Sequence, residues 1–90
     1  MIQEATERVR QMELYFDMLQ KAAGANPAAL REDRATEAIL QVLTRYYESG
    51  QWLRDYELDE KGLLPRDLKR GVLAQDAVYD FLERIASPGE

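Results

Sequence analysis

Four carboxylate side chains lie within six residues of one another: Asp55, Glu57, Asp59 and Glu60. Their spacing resembles the start of an EF-hand calcium loop, in which oxygen ligands occupy alternate positions. That loop also needs a sharply turning glycine at its sixth position and a bidentate glutamate at its twelfth, where this chain has Glu60 and Arg66. We therefore expect a solvated acidic helix face without a resident metal, and weak surface binding of Mg²⁺ or Ca²⁺ is the alternative.

The chain contains no cysteine and no histidine, which removes many of the side chains that proteins use for catalysis and metal binding. Cysteine nucleophiles, Ser-His-Asp triads and histidine pH switches are excluded, and so is a zinc site built from thiolate and imidazole. Two carboxylates can act as general acid and base when one is desolvated, but the sequence distinguishes no such pair. We expect a protein that is not an enzyme, with no catalytic residue, metal ligand or cofactor.

The densest group of basic residues directly follows the acidic run and consists of Lys61, Arg66, Lys69 and Arg70. The simplest interpretation is intramolecular: one of the carboxylates at 59 and 60 pairs with Lys69 or Arg70 and fixes how two short helices sit. Exposed pairs of this kind contribute only about 0–1 kcal/mol each, so their role would be geometric. The alternative is a binding patch for an acidic partner.

The same stretch also permits a helix-turn-helix, with a short helix at 65–70, a turn at 71–73 and a second helix after it. A DNA-recognition helix should carry Arg, Lys, Asn or Gln toward the base edges. The second helix instead offers mostly carboxylates among its polar residues, which are Gln75, Asp76, Asp80, Glu83 and Arg84. The net charge of −5 further disfavours polyphosphate and anionic membranes, because binding them needs a cationic face. We expect neither a nucleic-acid nor a membrane partner.

Three aromatic residues with polar groups, Trp52, Tyr56 and Tyr79, lie in the same half of the chain. Such side chains are enriched at interfaces, but a thin helical core also uses them. The core is the simpler interpretation, and a partly exposed aromatic edge beside the charged cluster is the alternative. The predicted interaction surface comprises Trp52, Asp55, Tyr56, Asp59, Glu60, Lys61, Arg66, Lys69, Arg70, Asp76 and Tyr79.

Hydrophobic spacing and capping residues predict the elements that carry these side chains. A first helix runs from about residue 3 to residue 23 and ends at Gly24. Asn26 and Pro27 are typical of the cap and first position of a second helix, which continues to about residue 48 and returns antiparallel to the first. Small alanines in the second stripe would let the two helices approach closely. The two stripes comprise Ala5, Val9, Met12, Phe16, Leu19 and Ala23, then Leu30, Ala35, Ala38, Ile39, Val42, Leu43 and Tyr46.

Shorter helices are predicted for the second half of the chain. Ser49 caps the first of them, Gly71 stops the second, and a hydrophobic staple of Leu73 and Val78 covers the start of the last. They span about 50–58, 65–70 and 74–86. The fold class is therefore all-α, an antiparallel hairpin of long helices with two or three shorter C-terminal helices packed on it as a small helical bundle.

The length of the chain, 90 residues, predicts one domain with a thin core. We expect this domain to cover residues 1–86 and residues 87–90 to be a frayed tail. The N-terminus has no basic stretch followed by an apolar run, and no apolar run reaches the ~18–20 residues that span a bilayer. We therefore expect a cytoplasmic protein.

The second half of the chain also carries an ordered series of motifs. A Trp with an acidic-aromatic segment is followed by Gly-x-Leu-Pro, by Leu-Lys-Arg-Gly-Val-Leu and by Asp-x-x-Tyr, at residues 52–60, 62–65, 68–73 and 76–79. From 46 to 82 the chain resembles a small bacterial family, domain of unknown function 4298, and its first helix resembles the family more loosely. It departs from the family pattern at Ala74, where a capping Ser is expected, and at Ala77, where Gly is common. The resemblance implies a compact helical protein of bacteria or their phages and supplies no substrate, cofactor or catalytic residue.

These observations favour a non-catalytic function in protein–protein interaction. The partner would be another protein or a second copy of the chain, because a long-helix face left uncovered by the C-terminal half would favour a homodimer. Two alternatives stay open, a regulatory protein linked to nucleic acid and an accessory enzyme subunit without an active site of its own.

Overall fold

Five helices make up most of the computed structural model, which describes residues 2–26, 28–74 and 76–86. They are α1 (Ile2–Ala25), α2 (Ala29–Glu32), α3 (Arg34–Glu48), α4 (Gln51–Glu60) and α5 (Ala77–Ala86). No strand occurs in the described residues, and the helices pack together as a small all-α bundle, which confirms the predicted fold class. The expectations for Pro27, Gln75 and residues 87–90 lie outside the described residues.

The apolar stripe of α1 supplies one side of the core. Its residues Ala5, Val9, Phe16 and Leu19 are buried, as their helical spacing predicts. α1 packs against α3, and the Phe16 ring meets that of Phe81 on α5 edge to face with centroids 5.5 Å apart. The first and last helices are therefore joined through the same core.

The connection between α1 and α2 differs from the prediction at Gly24. Instead of ending the helix, Gly24 lies inside α1, which continues to Ala25, and the Asn26 N–H still donates to the carbonyl of Ala22. The side-chain oxygen of Asn26 accepts a hydrogen bond from the Ala28 N–H at 3.2 Å, so Asn26 serves as a capping acceptor as predicted.

The predicted second helix is two helices, because Asp33 interrupts it. Asp33 has extended backbone angles, φ −93° and ψ 114°, and its carboxylate accepts a hydrogen bond from the Thr36 hydroxyl. Aspartate favours such positions because its side chain competes with the helical backbone for hydrogen bonds. The prediction for Ala35, Ala38 and Val42 was also wrong, since all three are exposed. Leucine and tyrosine side chains form the buried part of this stripe instead: Leu30, Leu43 and Tyr46.

Two glycines with positive φ flank α4, which comprises Gln51–Glu60. Gly50, with φ +95°, precedes its first residue, whereas Ser49 only accepts a long 3.4 Å hydrogen bond from the Gln51 N–H. At the other end Gly62 has φ +72°, and the Leu63 N–H donates to the Leu58 carbonyl, as in a Schellman motif. The helix therefore extends to Glu60, two residues beyond its predicted end.

Residues 61–76 contain no helix among those described, so the predicted helix at 65–70 is wrong. The final helix also begins later than predicted, at Ala77, after Asp76 with φ +71°. Ala74 is a poor helix start because alanine has no side-chain acceptor for a cap. Asp76 lies outside the helix because its positive φ breaks the helical path. Instead, this irregular segment is anchored by buried side chains: Leu64, Leu68, Val72 and Leu73.

A pair of glycine substitutions tests these helix boundaries. Gly24→Ala should raise the free energy of unfolding by about 0.5–1 kcal/mol, because alanine is the better helix former and an added Cβ meets nothing within 4 Å. Gly62→Ala, which also has open space, should lower it by about 1–2 kcal/mol, because φ is positive there. Urea unfolding followed by circular dichroism measures both. Loss of stability in Gly24→Ala would place the end of α1 at Gly24 after all.

Candidate interaction surface

Asp55 is fully buried, so its assignment to a solvated acidic face was wrong. Arg8 of α1 donates to both carboxylate oxygens, from Nε at 2.9 Å and from Nη2 at 2.6 Å. Tyr46 of α3 donates its hydroxyl to Oδ2 at 2.8 Å. One carboxylate therefore joins α1, α3 and α4, and it is a structural group rather than part of an exposed surface.

The surroundings of Asp55 hold its partners in defined protonation states. Burial, followed by the hydrogen bond to Asp55, raises the pKa of Tyr46 far above its ordinary value, so this phenol stays neutral. The hydrogen bond to Asp55 also raises the pKa of the Arg8 guanidinium. No buried side-chain polar atom in the described residues lacks a hydrogen-bond partner. The network is therefore complete, which is what allows an ion in the core.

Arg70 pairs with Asp59, one of the intramolecular pairings that the charges predict. Its Nε donates to Asp59 Oδ1 at 2.7 Å. Its other nitrogens donate to three carbonyls of the irregular segment, those of Leu68 at 2.7 Å, Pro65 at 2.7 Å and Arg66 at 3.1 Å. A single guanidinium thus provides donors to three backbone carbonyls of a segment that forms no helix.

The backbone of Val72 is fixed from both sides by side chains of two helices. Its N–H donates to Glu13 Oε1 of α1 at 2.8 Å, and its carbonyl accepts from Trp52 Nε1 of α4 at 2.8 Å. Gly71 permits this approach, because a Cβ there would lie 2.8 Å from Glu13 Oε2. Gly71 therefore makes room for a carboxylate; it does not stop a helix as predicted.

The aromatic residues form a short stack on α4. Trp52 packs against Tyr47 with ring centroids 5.2 Å apart and stacks on Tyr56 at 5.1 Å, and both Trp52 and Tyr56 are half-buried. A hydrogen bond to Glu60 raises the pKa of Tyr56. Tyr79 on α5 is 48% exposed, so the core prediction fails for it.

The predicted surface therefore separates into an inner and an outer set. The inner residues make contacts within the fold, and they are Trp52, Asp55, Tyr56, Asp59 and Arg70. The outer set comprises Glu60, Lys61, Arg66, Lys69, Asp76 and Tyr79, all of them exposed. Lys61, Arg66 and Lys69 lie in the irregular segment with the 49%-exposed Leu63, and these four residues are called the basic loop below. The sequence analysis placed Tyr46 in the core but missed its hydrogen bond to Asp55, and it assigned no role to Arg8 and Glu13.

Two other features of the described residues bear on chemistry. No group of three or more carboxylates there is arranged to hold a metal ion, and no helix is long and apolar enough to cross a membrane. An open groove of about 1000 Å³ lies between the end of α1, α2, α3 and α5. Its lining is mainly apolar and includes Leu30, Leu40 and Leu82, and Arg31 donates to the Ile85 carbonyl at its edge.

The family comparison covers nearly the whole of this architecture. The model of the family described as Domain of unknown function (DUF4298) matches residues 5–87. The chain belongs to this family. The match includes the Asp55 network, the basic loop and α5, so DUF4298 describes the complete bundle rather than its second half alone. No curated protein and no solved structure matches the chain.

Removing the Asp55 carboxylate tests its structural role. Asp55→Ala should lower the free energy of unfolding by about 3–5 kcal/mol, because Arg8 would keep its charge in a partly buried site without a partner. Glu57→Ala, an exposed carboxylate on the same helix, should change it by less than about 0.5 kcal/mol. Chemical unfolding measures both variants. If both variants change the free energy of unfolding by the same small amount, Asp55 does not have the structural role described.

A double-mutant cycle tests the contact of Glu13 with Gly71. Gly71→Ala should displace the Glu13 carboxylate and lower stability by about 1–2 kcal/mol, because the Val72 N–H loses its acceptor. In a Glu13→Ala background the same substitution should cost little more, since nothing is left to displace. Additive effects in the unfolding free energies would show that Gly71 is needed for another reason.

Proposed function

We propose that the protein is a non-catalytic protein–protein interaction module of the bacterial cytoplasm, and that its basic loop binds an acidic surface of a partner protein. The observation that carries this proposal is the way the loop is built. The backbone of the irregular segment that carries it is held between residues 65 and 72 by Arg70, Glu13 and Trp52, while Lys61, Arg66 and Lys69 remain exposed.

Fixing an irregular segment in this way supports a binding role. Ordering a flexible loop on association costs free energy, and a loop already held by the scaffold avoids that cost. Here the ends of the loop are held by α4 and the core, whereas its cationic side chains enter no ion pair within the described residues. They are therefore available to a partner.

Charge favours an acidic partner. The chain carries a net charge of −5, whereas residues 61–70 carry four cations and one carboxylate, Asp67, so this segment is a local exception. A cationic segment attracts acidic surfaces and directs their encounter, and the exposed Leu63 offers apolar area within it.

The hydrogen bonds that arginines make to two of the carboxylates support the non-catalytic part of the proposal. Asp55 and Asp59, the most enclosed members of the acidic run, are each bound by an arginine. The nucleic-acid alternative loses its strongest argument, because residues 65–70 form no helix and so cannot complete a helix-turn-helix. The absence of cysteine accords with a reducing cytoplasm, where disulfides are rare.

Charge reversal at the basic loop tests this function. The variant Arg66→Glu/Lys69→Glu leaves Arg70 in place, because Arg70 holds the loop backbone. It should keep the wild-type melting temperature but lose a partner recovered by affinity purification from the native host. The matched control, Arg34→Glu/Arg54→Glu, reverses two exposed arginines on α3 and α4 with the same change in net charge, and it should retain that partner.

The recovered partner then allows a direct measurement. Its binding to the purified protein should weaken at least tenfold in the loop variant and should weaken as salt is added, because exposed charges are screened. Equal retention of every partner by the loop variant and the control would reject the basic loop as the interface.

A further inference from the structure

The outer face of α1 carries a regular series of exposed side chains that do not pack into the core. Starting at Glu7, exposed residues recur alternately after four and three positions, which is the heptad spacing of helix–helix contacts. They are Glu7, Gln11, Leu14, Met18, Lys21 and Ala25. Leu14 is 54% exposed and Met18 is 44% exposed, so two large apolar side chains lie next to each other at the middle of this face.

The charges on this face are arranged symmetrically about Leu14 with opposite signs. Glu7 lies seven residues before Leu14, and Lys21 lies seven residues after it. On the flank of the same face, Arg10 precedes Leu14 and Asp17 follows it. A two-fold rotation at Leu14 therefore places Glu7 opposite Lys21 of a second copy, and Arg10 close to Asp17 of that copy.

We propose that the protein forms a two-fold symmetric homodimer in which the outer faces of two antiparallel α1 helices pack against each other around Leu14. In such a dimer every contact away from the axis occurs twice, so each copy contributes both members of the Glu7–Lys21 pair. Leu14 meets its own copy at the axis, and Met18 covers the contact on either side. The occupant of this face is thus a second copy, because its charge pattern is complementary to itself.

The distance along α1 prevents Glu7 and Lys21 of one chain from pairing with each other. Glu7 and Lys21 are separated by about 21 Å along a helix, too far to pair in the monomer. Lys21 is 3.2 Å from Asp17, but both side chains are more than half exposed, and such a pair exchanges partners easily. The contact comprises one helix face, so the dimer should be weak and should depend on concentration.

The interface is separate from the basic loop, so it does not rest on the proposed function. Reversing the charges of Arg66 and Lys69 should leave the dimer intact. Disrupting the dimer should leave partner binding by the basic loop unchanged. Failure of either proposal can therefore be recognised without the other.

Sedimentation equilibrium of the full chain tests the dimer over a range of about 1 µM to 1 mM, which covers the affinities expected of small interfaces. Leu14→Glu should raise the dissociation constant at least tenfold without lowering the melting temperature. Leu53→Glu is the matched control, because Leu53 on α4 is a leucine with nearly the same exposure, 52%. It should leave the dissociation constant unchanged. A wild-type protein that stays monomeric, or equal loss of the dimer in both variants, would overturn the proposal.

A charge swap tests the register. Glu7→Lys and Lys21→Glu should each weaken the dimer several-fold, because each places like charges opposite one another. The double variant Glu7→Lys/Lys21→Glu should regain wild-type affinity, because the pair re-forms between copies with its signs exchanged. The Asp17–Lys21 pair within one chain is not restored by this swap, so recovery reports the contact between copies. A double variant as weak as the sum of the single variants would overturn the Leu14-centred arrangement.

Discussion

The carboxylate of Asp55 is the interaction on which the arrangement of α1, α3 and α4 depends. It is the only fully buried residue of α4, a helix whose other core contacts are half-buried side chains. An apolar residue at this position would tolerate many rotations of α4 about its axis. A carboxylate that receives two bonds from Arg8 and one from Tyr46 tolerates few, so the ion fixes the orientation of the helix as well as its position.

This orientation determines what the irregular segment can do. Trp52 and Asp59 lie on the same helix as Asp55. Trp52 donates a hydrogen bond to the Val72 carbonyl, and Asp59 accepts one from Arg70. With Glu13 adding a third contact from α1, the segment keeps a defined path without being helical. Membership of DUF4298 assigns no activity, and the contrast between this fixed backbone and the exposed cations of the basic loop is the strongest functional indication in the molecule.

Patterns that depend on local spacing predicted much of the fold, and long-range polar contacts explain most of the errors. The stripe of α1 and the Asn26 cap follow from neighbouring residues, so they could be predicted. The helix at 65–70 could not be excluded in advance, because Arg70 satisfies its carbonyls in a way that depends on Asp59. Asp55 did leave a signal: it lies three residues after Trp52 and three before Leu58, on the face of α4 that turns toward the core. Its partner Arg8, however, is 47 residues away, and one sequence contains nothing that connects them.

The contacts of α1 also have a consequence for the order in which the chain folds. Helices form locally and rapidly, whereas contacts between distant residues have to wait for loop closure. Arg8 is separated from Asp55 by 47 residues, and Glu13 is separated from Val72 by 59. During synthesis α1 therefore emerges before either partner exists, and α3 is the first long helix that can cover its apolar stripe. The Asp55 network and the Val72 contacts form only after that pairing, so the newly made first helix has exposed apolar side chains that need protection from aggregation until the later segments follow.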